Sequence, residues 1–178
     1  MTNAVPFTRR TVTALTIGLL ASLLALPAAA LAGEPWSGVV TWVADGDTLR
    51  VKPASGGAPV SVRIRDIDAP EICQSGGAAS REALNGRVRG RAVKVSGKAR
   101  DAYGRLVAGV TVDDQDVGQW MVLQGQAWAT GRRPGTGLYA VQQAQAQAAR
   151  RGIFGLNQGA GAPVSPAVFR KQHKSCYR

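Results

Sequence analysis

The chain has 178 residues and carries 22 Lys and Arg against 11 Asp and Glu, a formal net charge of +11 at pH 7. That length suits one compact domain plus an export segment and argues against a second domain, because domains typically run about 100 to 150 residues. The only histidine, His173, lies near the C-terminus, so the body of the chain has no imidazole set for zinc or for acid–base chemistry, and His173 itself reads as a solvated residue.

Residues 1–32 do not read as part of a fold. Arg9 and Arg10 form a positive n-region, Thr11 to Leu26 is apolar and uncharged, and Ala30-Leu31-Ala32 offers the small residues of a cleavage site. An uncleaved membrane anchor is the other reading, but a span wants about 18 or more apolar residues, and this run is short and broken at Pro27. A cleavable signal peptide over 1–32 is therefore expected, with a mature start near Gly33. That places the protein in an extracytoplasmic compartment, secreted or periplasmic, without stable membrane association. Thr8-Arg9-Arg10 leaves twin-arginine export open beside the general route. The leader removes two of the 22 basic residues and none of the 11 acidic ones, so the mature balance is 20 against 11, or +9. Such a field attracts polyanions, nucleic acid among them, but equally any anionic surface.

From Gly33 to Phe154 no repeat or low-complexity linker interrupts the chain. A strand is expected over Gly38 to Val43. Leu49 and Val51 alternate with Arg50 and Lys52, and Val60, Val62 and Ile64 alternate with Ser61, Arg63 and Arg65, the period of half-buried strands. Between them Ser55-Gly56-Gly57 supplies the positive φ angles of a hairpin turn, so this pair is expected to be antiparallel. Ala92 to Ser96 and Leu106 to Val112 complete the strands. Ser80 is expected to cap a helix carrying Leu84 and Val88, and Asp116 one carrying Val117, Trp120 and Met121. Leu138, Val141, Ala144 and Ala148 mark a third helix that Gly152 stops. Trp42, Trp120 and Trp128 sit in apolar segments and are expected to pack in the core. Five short strands with helices inserted late predict an α+β domain over 33–155, a five-stranded Greek-key β-barrel of the OB-fold kind with three packed α-helices. Residues 156–178 read as a basic C-terminal tail whose Arg170, Lys171, Lys174 and Arg178 are solvated and add non-specific affinity. Cys73 and Cys176 are either two free thiols or a disulfide stapling that tail to the domain, and an oxidising compartment favours the disulfide.

Three segments carry chemistry. Asp45-Gly46-Asp47-Thr48, between two strands, is on its own as good a hairpin turn as a site. Arg63-Ile64-Arg65-Asp66-Ile67-Asp68-Ala69-Pro70-Glu71 runs off the polar face of a strand into a loop and crowds three carboxylates that repel one another unless something neutralises them. A hard cation is the economical partner, since calcium takes about six to eight oxygen ligands from carboxylates, carbonyls and water. Asp101-Ala102-Tyr103-Gly104-Arg105 launches the strand from Leu106 and on its own is equally a glycine turn ending in a solvated arginine.

Taken together, in this order and on these strands, the three segments resemble the staphylococcal nuclease (thermonuclease) family, over roughly Trp36 to Phe154. The resemblance implies a five-stranded barrel and a calcium-dependent endonuclease that cleaves DNA and RNA phosphodiesters and leaves 3'-phosphate ends. Carried over position by position, it makes Asp47 and Asp68 the carboxylate ligands of Ca2+, with the backbone carbonyl of Ala69 as a further ligand. Glu71 resembles the carboxylate that positions or deprotonates the attacking water. Arg63 and Arg105 match the phosphate-gripping arginines and Tyr103 a phosphate-binding tyrosine. Ala102 stands where the best-known member of the family carries a basic residue, and that member's later pair of tyrosines has no clear match: Arg132 and Arg133 stand in that region, with Tyr139 slightly beyond. The residue types make independent sense, because a phosphodiester repels hydroxide until its charge is cancelled, and a planar guanidinium can bind two phosphate oxygens at once. No obligate protein partner is evident and a monomer is expected. The alternative is an OB-fold module that binds nucleic acid without cutting it.

Overall fold

A computed structural model describes residues 1–2, 34–97, 99–131, 133, 135–155, 163–173 and 176. Residues 3–32 of the expected leader, Arg132, Lys174 and Arg178 lie outside the described residues.

The early alternation becomes a three-stranded meander: β1 (Trp36–Val43), β2 (Thr48–Pro53) and β3 (Val60–Ile64). Gly56 and Gly57, at φ 94° and 93°, turn the chain between β2 and β3, which pair antiparallel from Thr48↔Arg63 to Val51↔Val60. A two-residue ladder follows, β4 (Ile67–Asp68), and then α1 (Gly77–Val88). β5 (Ala92–Ser96) adds to the far side of β1, and β6 (Leu106–Val112) pairs antiparallel with β5. β6 also pairs parallel with β3, Val62↔Leu106 through Ile64↔Ala108, which closes five strands into a barrel. The chain continues through β7 (Gln115–Asp116), α2 (Val117–Leu123), β8 (Trp128–Ala129), α3 (Ala140–Ala148), a 3-10 turn at Gly152–Phe154, and α4 (Pro166–His173).

The apolar half of each strand points inward. Leu49, Val51, Val62, Ile64, Val95 and Val110 are fully buried, with Leu84 and Val88 of α1 and Met121 of α2 packed against them. Each such side chain contributes about 1.5–3 kcal/mol of transfer free energy. Among the described residues no helix is long and apolar enough to cross a membrane.

Asp116 caps α2 as expected, its carboxylate accepting from Gln119 N–H at 2.8 Å. Four expectations change. Ser80 is not a cap: α1 starts after Gly76, which is left-handed at φ 86°, and Ser80 sits buried inside the helix, donating to the Gln126 carbonyl at 2.6 Å. The third helix does not bury its larger apolar side chains. Leu138 and Val141 are exposed, and Ala146 is the buried position, because the helix begins only at Ala140 and packs through a small residue. Trp42 is 46% exposed on β1, under the Arg50 guanidinium at 5.2 Å, rather than in the core. Finally, the tail holds a helix of its own, so four α-helices rather than three accompany the barrel among the described residues.

Candidate active site

The polar residues of the three motif segments meet at one end of the barrel. Gly46 lets the β1–β2 turn lie against α1: a Cβ there would fall 1.8 Å from Ser80 Oγ. The turn delivers Asp47, which is 3% exposed, and its Oδ2 accepts from the Ala69 N–H at 2.9 Å while Oδ1 accepts from Thr48 Oγ1 at 3.0 Å. The carboxylate is thus fixed before any ligand arrives.

Arg63 lies on the polar side of β3, and past Asp66, left-handed at φ 64°, the chain brings the Ile67 carbonyl and the Asp68 carboxylate within reach of its guanidinium. β4 is anchored by its ladder to β8, Asp68 opposite Trp128. Arg63 then bridges both aspartates: Nη1 is ion-paired with Asp47 Oδ1, and Nη2 donates to Asp68 Oδ1 at 3.0 Å. Burial disfavours the charge on Arg63, but these two carboxylates outweigh it and hold its pKa above the ordinary value.

Glu71 follows Pro70, and its backbone is clamped by Gln74, whose Oε1 accepts from Glu71 N–H at 3.2 Å. Gly77 is required beneath this loop, since a Cβ would lie 2.0 Å from the Glu71 carbonyl. On the opposite wall Arg105 is held by Asp101 Oδ2 at 2.7 Å and by Thr48 Oγ1 at 3.1 Å. Burial would raise the Asp101 pKa, but hydrogen bonds from the Arg105 side chain and from the Arg105 and Tyr103 N–H groups hold it below the usual carboxylate range. Tyr103 is 84% exposed at the mouth, its ring 5.3 Å from the Arg105 guanidinium carbon.

Asp47, Arg63, Ala69, Glu71, Tyr103 and Arg105 all line one cleft of about 780 Å³, with Asp68 bonded to Arg63 at its edge. That volume falls within the range of about 300–1,000 Å³ usual for ligand sites. Six of the seven residues singled out for the site thus line the cleft, and Asp68 is joined to it through Arg63. Tyr139 is not among them: it is buried, with its hydroxyl donating to the Asp116 carboxylate, and burial and that carboxylate push its pKa up.

Three further residues line the cleft, Asp45, Asp101 and Arg170, and a fourth, Thr48, supports it from behind. Thr48 links Arg105 to Asp47, and Asp101 orients Arg105. Both stood in the motif strings, but their neighbours gave no sign of these contacts. Asp45 accepts from the Asp47 N–H at 3.0 Å, and burial together with the Asp47 charge raises its pKa to about 7. The remaining one is Arg170 of α4, which corrects the reading of that residue as a solvated tail cation. It donates to Asp68 Oδ1 and Oδ2 at 3.2 and 2.9 Å and to Glu71 Oε1 at 2.9 Å, and these bonds raise its pKa, those to Asp68 foremost. Cys73 and Cys176 are joined in a disulfide, with Cα atoms 5.8 Å apart.

Among the described residues no three His, Cys, Asp or Glu side chains form a ready-made metal cage. The donors present are hard oxygens, two aspartates and the Ala69 carbonyl at the cleft wall, which suit a cation that completes its shell with water and substrate oxygens.

Residues 61–155 match the family described as staphylococcal nuclease homologue. An uncharacterized endonuclease of Haemophilus influenzae is 34% identical over 135 residues, covering 76% of this chain and 73% of its own. A micrococcal nuclease of Shigella flexneri is 33% identical over 125 residues, 62% of this chain and 71% of its own. Protein ParB of Escherichia coli is 38% identical over 123 residues, 62% and 68% respectively.

Proposed function

The chain belongs to the staphylococcal nuclease family and is a nuclease, and we propose that it is an exported, calcium-dependent endonuclease that hydrolyses DNA and RNA at this cleft and leaves 3'-phosphate ends. The observation that carries this reading is the gathering of two carboxylate-held guanidiniums, Arg63 and Arg105, and the Glu71 carboxylate in one cleft that Asp47 and Ala69 also line, with Asp68 bonded to Arg63.

The chain's own groups divide the work. Arg63 and Arg105 receive the phosphate and supply donors for the charge that grows in the pentavalent transition state, and because carboxylates already orient both forks, little reorganisation is needed when that charge appears. Glu71, on a loop fixed by Gln74 and Pro70, takes the proton of the attacking water, the role left open by the absence of histidine from the cleft. Tyr103 at the mouth donates to a substrate phosphate. Asp47 and Asp68, with the Ala69 carbonyl, would hold Ca2+, which when bound supplies Lewis-acid polarisation of the phosphoryl oxygen. DNA and RNA are the partners and the protein acts as a monomer outside the cytoplasm.

The test is to incubate purified protein with single-stranded DNA, duplex DNA and RNA, with calcium or with a chelator, beside Glu71→Gln. Cutting should require calcium and should fall by several orders of magnitude in the variant. Equal cutting by both proteins removes Glu71 from the mechanism, and binding without cutting turns the reading to a non-catalytic module.

A further inference from the structure

The C-terminal segment lies across the acidic side of the cleft and is fastened on both sides of Arg170. Before it, Gln74 Nε2 donates to the Val164 carbonyl at 2.7 Å; after it, the Cys73–Cys176 disulfide returns the chain to the loop that carries Glu71. Between these anchors α4 presents a guanidinium that makes three hydrogen bonds of 2.9–3.2 Å to Asp68 and Glu71. Among the described residues Arg63 reaches Asp68 only at Oδ1, while Asp68 Oδ2 and the Glu71 carboxylate receive hydrogen bonds from Arg170 alone.

We propose that Arg170 is a tethered guanidinium that occupies the carboxylates of Asp68 and Glu71 and competes with the divalent cation for them. This rests on the reading of Asp47 and Asp68 as cation ligands. The competition follows from the lone pairs: a cation on Asp68 needs a carboxylate oxygen, and both oxygens are already accepting charge-assisted bonds. It also follows from which partner can give way. The Asp68 side chain is 10% exposed on a strand paired with β8, whereas the Arg170 side chain is 42% exposed, so water can receive the guanidinium when it leaves. The anchors then keep the displaced guanidinium near the cleft instead of releasing it to bulk solvent.

Calcium titrations of the purified protein by calorimetry, paired with melting temperatures with and without calcium, test this without reference to turnover. Arg170→Gln should tighten calcium about tenfold, the loss of one competing charge-assisted contact, and should enlarge the calcium-induced rise in melting temperature. Arg170→Lys, which keeps the charge but not the fork, should fall between the parent and Arg170→Gln. Cys176→Ser keeps Arg170 and removes one anchor, so it should tighten calcium by a smaller factor and add nothing in the Arg170→Gln background. A merely structural arginine would move the affinity the other way, because a disordered Asp68 binds calcium less well. Affinity unchanged or weakened in Arg170→Gln overturns the inference and leaves the metal reading standing. Absence of calcium binding in both parent and variant overturns both.

Discussion

The two sides of the cleft are built differently. On the barrel side, Asp47 is 3% exposed and Asp68 7%, and each is fixed by neighbouring backbone and by Arg63, itself a strand residue. On the tail side, Arg170 belongs to an eight-residue helix, is half exposed, and is located by one hydrogen-bonded contact and one disulfide. Both sides end in guanidinium–carboxylate pairs at similar distances, so contact length alone does not separate them. What separates them is what each charge rests on: Arg63 belongs to the closed sheet, Asp47 to the turn that leads into β2 and Asp68 to the β4–β8 ladder, whereas the tail charge sits on a half-exposed helix and can exchange with a ligand.

The contrast breaks most deeply at Arg63. Arg63→Lys leaves the positive charge but loses the fork that spans Asp47 and Asp68, and nuclease activity should fall roughly 10²–10³-fold, as loss of a transition-state donor does. Steady-state assays at saturating calcium measure this, and a loss below tenfold would mean that the fork is not what the cleft needs.

Less of the tail side than of the barrel side could be read from the sequence. The strands were legible because period-two alternation is local, and so were Asp47, Arg63, Asp68, Glu71 and Arg105, because they lie in short strings on predicted strand ends. Asp45, Thr48 and Asp101 stood in those strings, but their roles depend on contacts such as Arg105 with Thr48, 57 residues apart, which no local pattern carries. Arg170 was the least legible, since its partner Asp68 is 102 residues away and a basic run near a terminus has the composition of a solvated end. The start of α1 has no side-chain cap to mark it in the sequence, because the helix begins after a left-handed Gly76.

A smaller effect probes how closely the barrel side is packed. Gly46→Ala pushes a methyl onto Ser80 Oγ and Ala69 Cβ, disturbing the buried Ser80–Gln126 bond, and should cost about 1–3 kcal/mol in denaturant unfolding. A cost under 0.5 kcal/mol, roughly that of a neutral surface change, would show that the turn yields easily.

The mildest test is electrostatic. Asp45 has its folded pKa raised from 3.8 to about 7, so the folded state binds its proton more tightly than the unfolded chain does. That contribution to stability is complete below the unfolded value and is lost as pH rises through about 7. Without calcium, the melting temperature should therefore fall between pH 5 and pH 8 by a few degrees more in the parent than in Asp45→Asn, a difference read by parallel thermal melts at each pH. Parallel pH profiles in the two proteins would reject the assignment.

The parallel seam between β3 and β6 has a further consequence for how the chain acquires its chemistry. Arg63 is paired beside Val107, two residues beyond Arg105, so the two guanidiniums come together only when the last barrel strand docks. That docking is a long-range event, of the kind that forms late because a large loop must close first. A nascent or partly opened chain with β6 undocked keeps Asp47, Arg63, Asp68 and Glu71 together but leaves Arg105 apart from them, so the cleft is assembled only when the barrel is sealed.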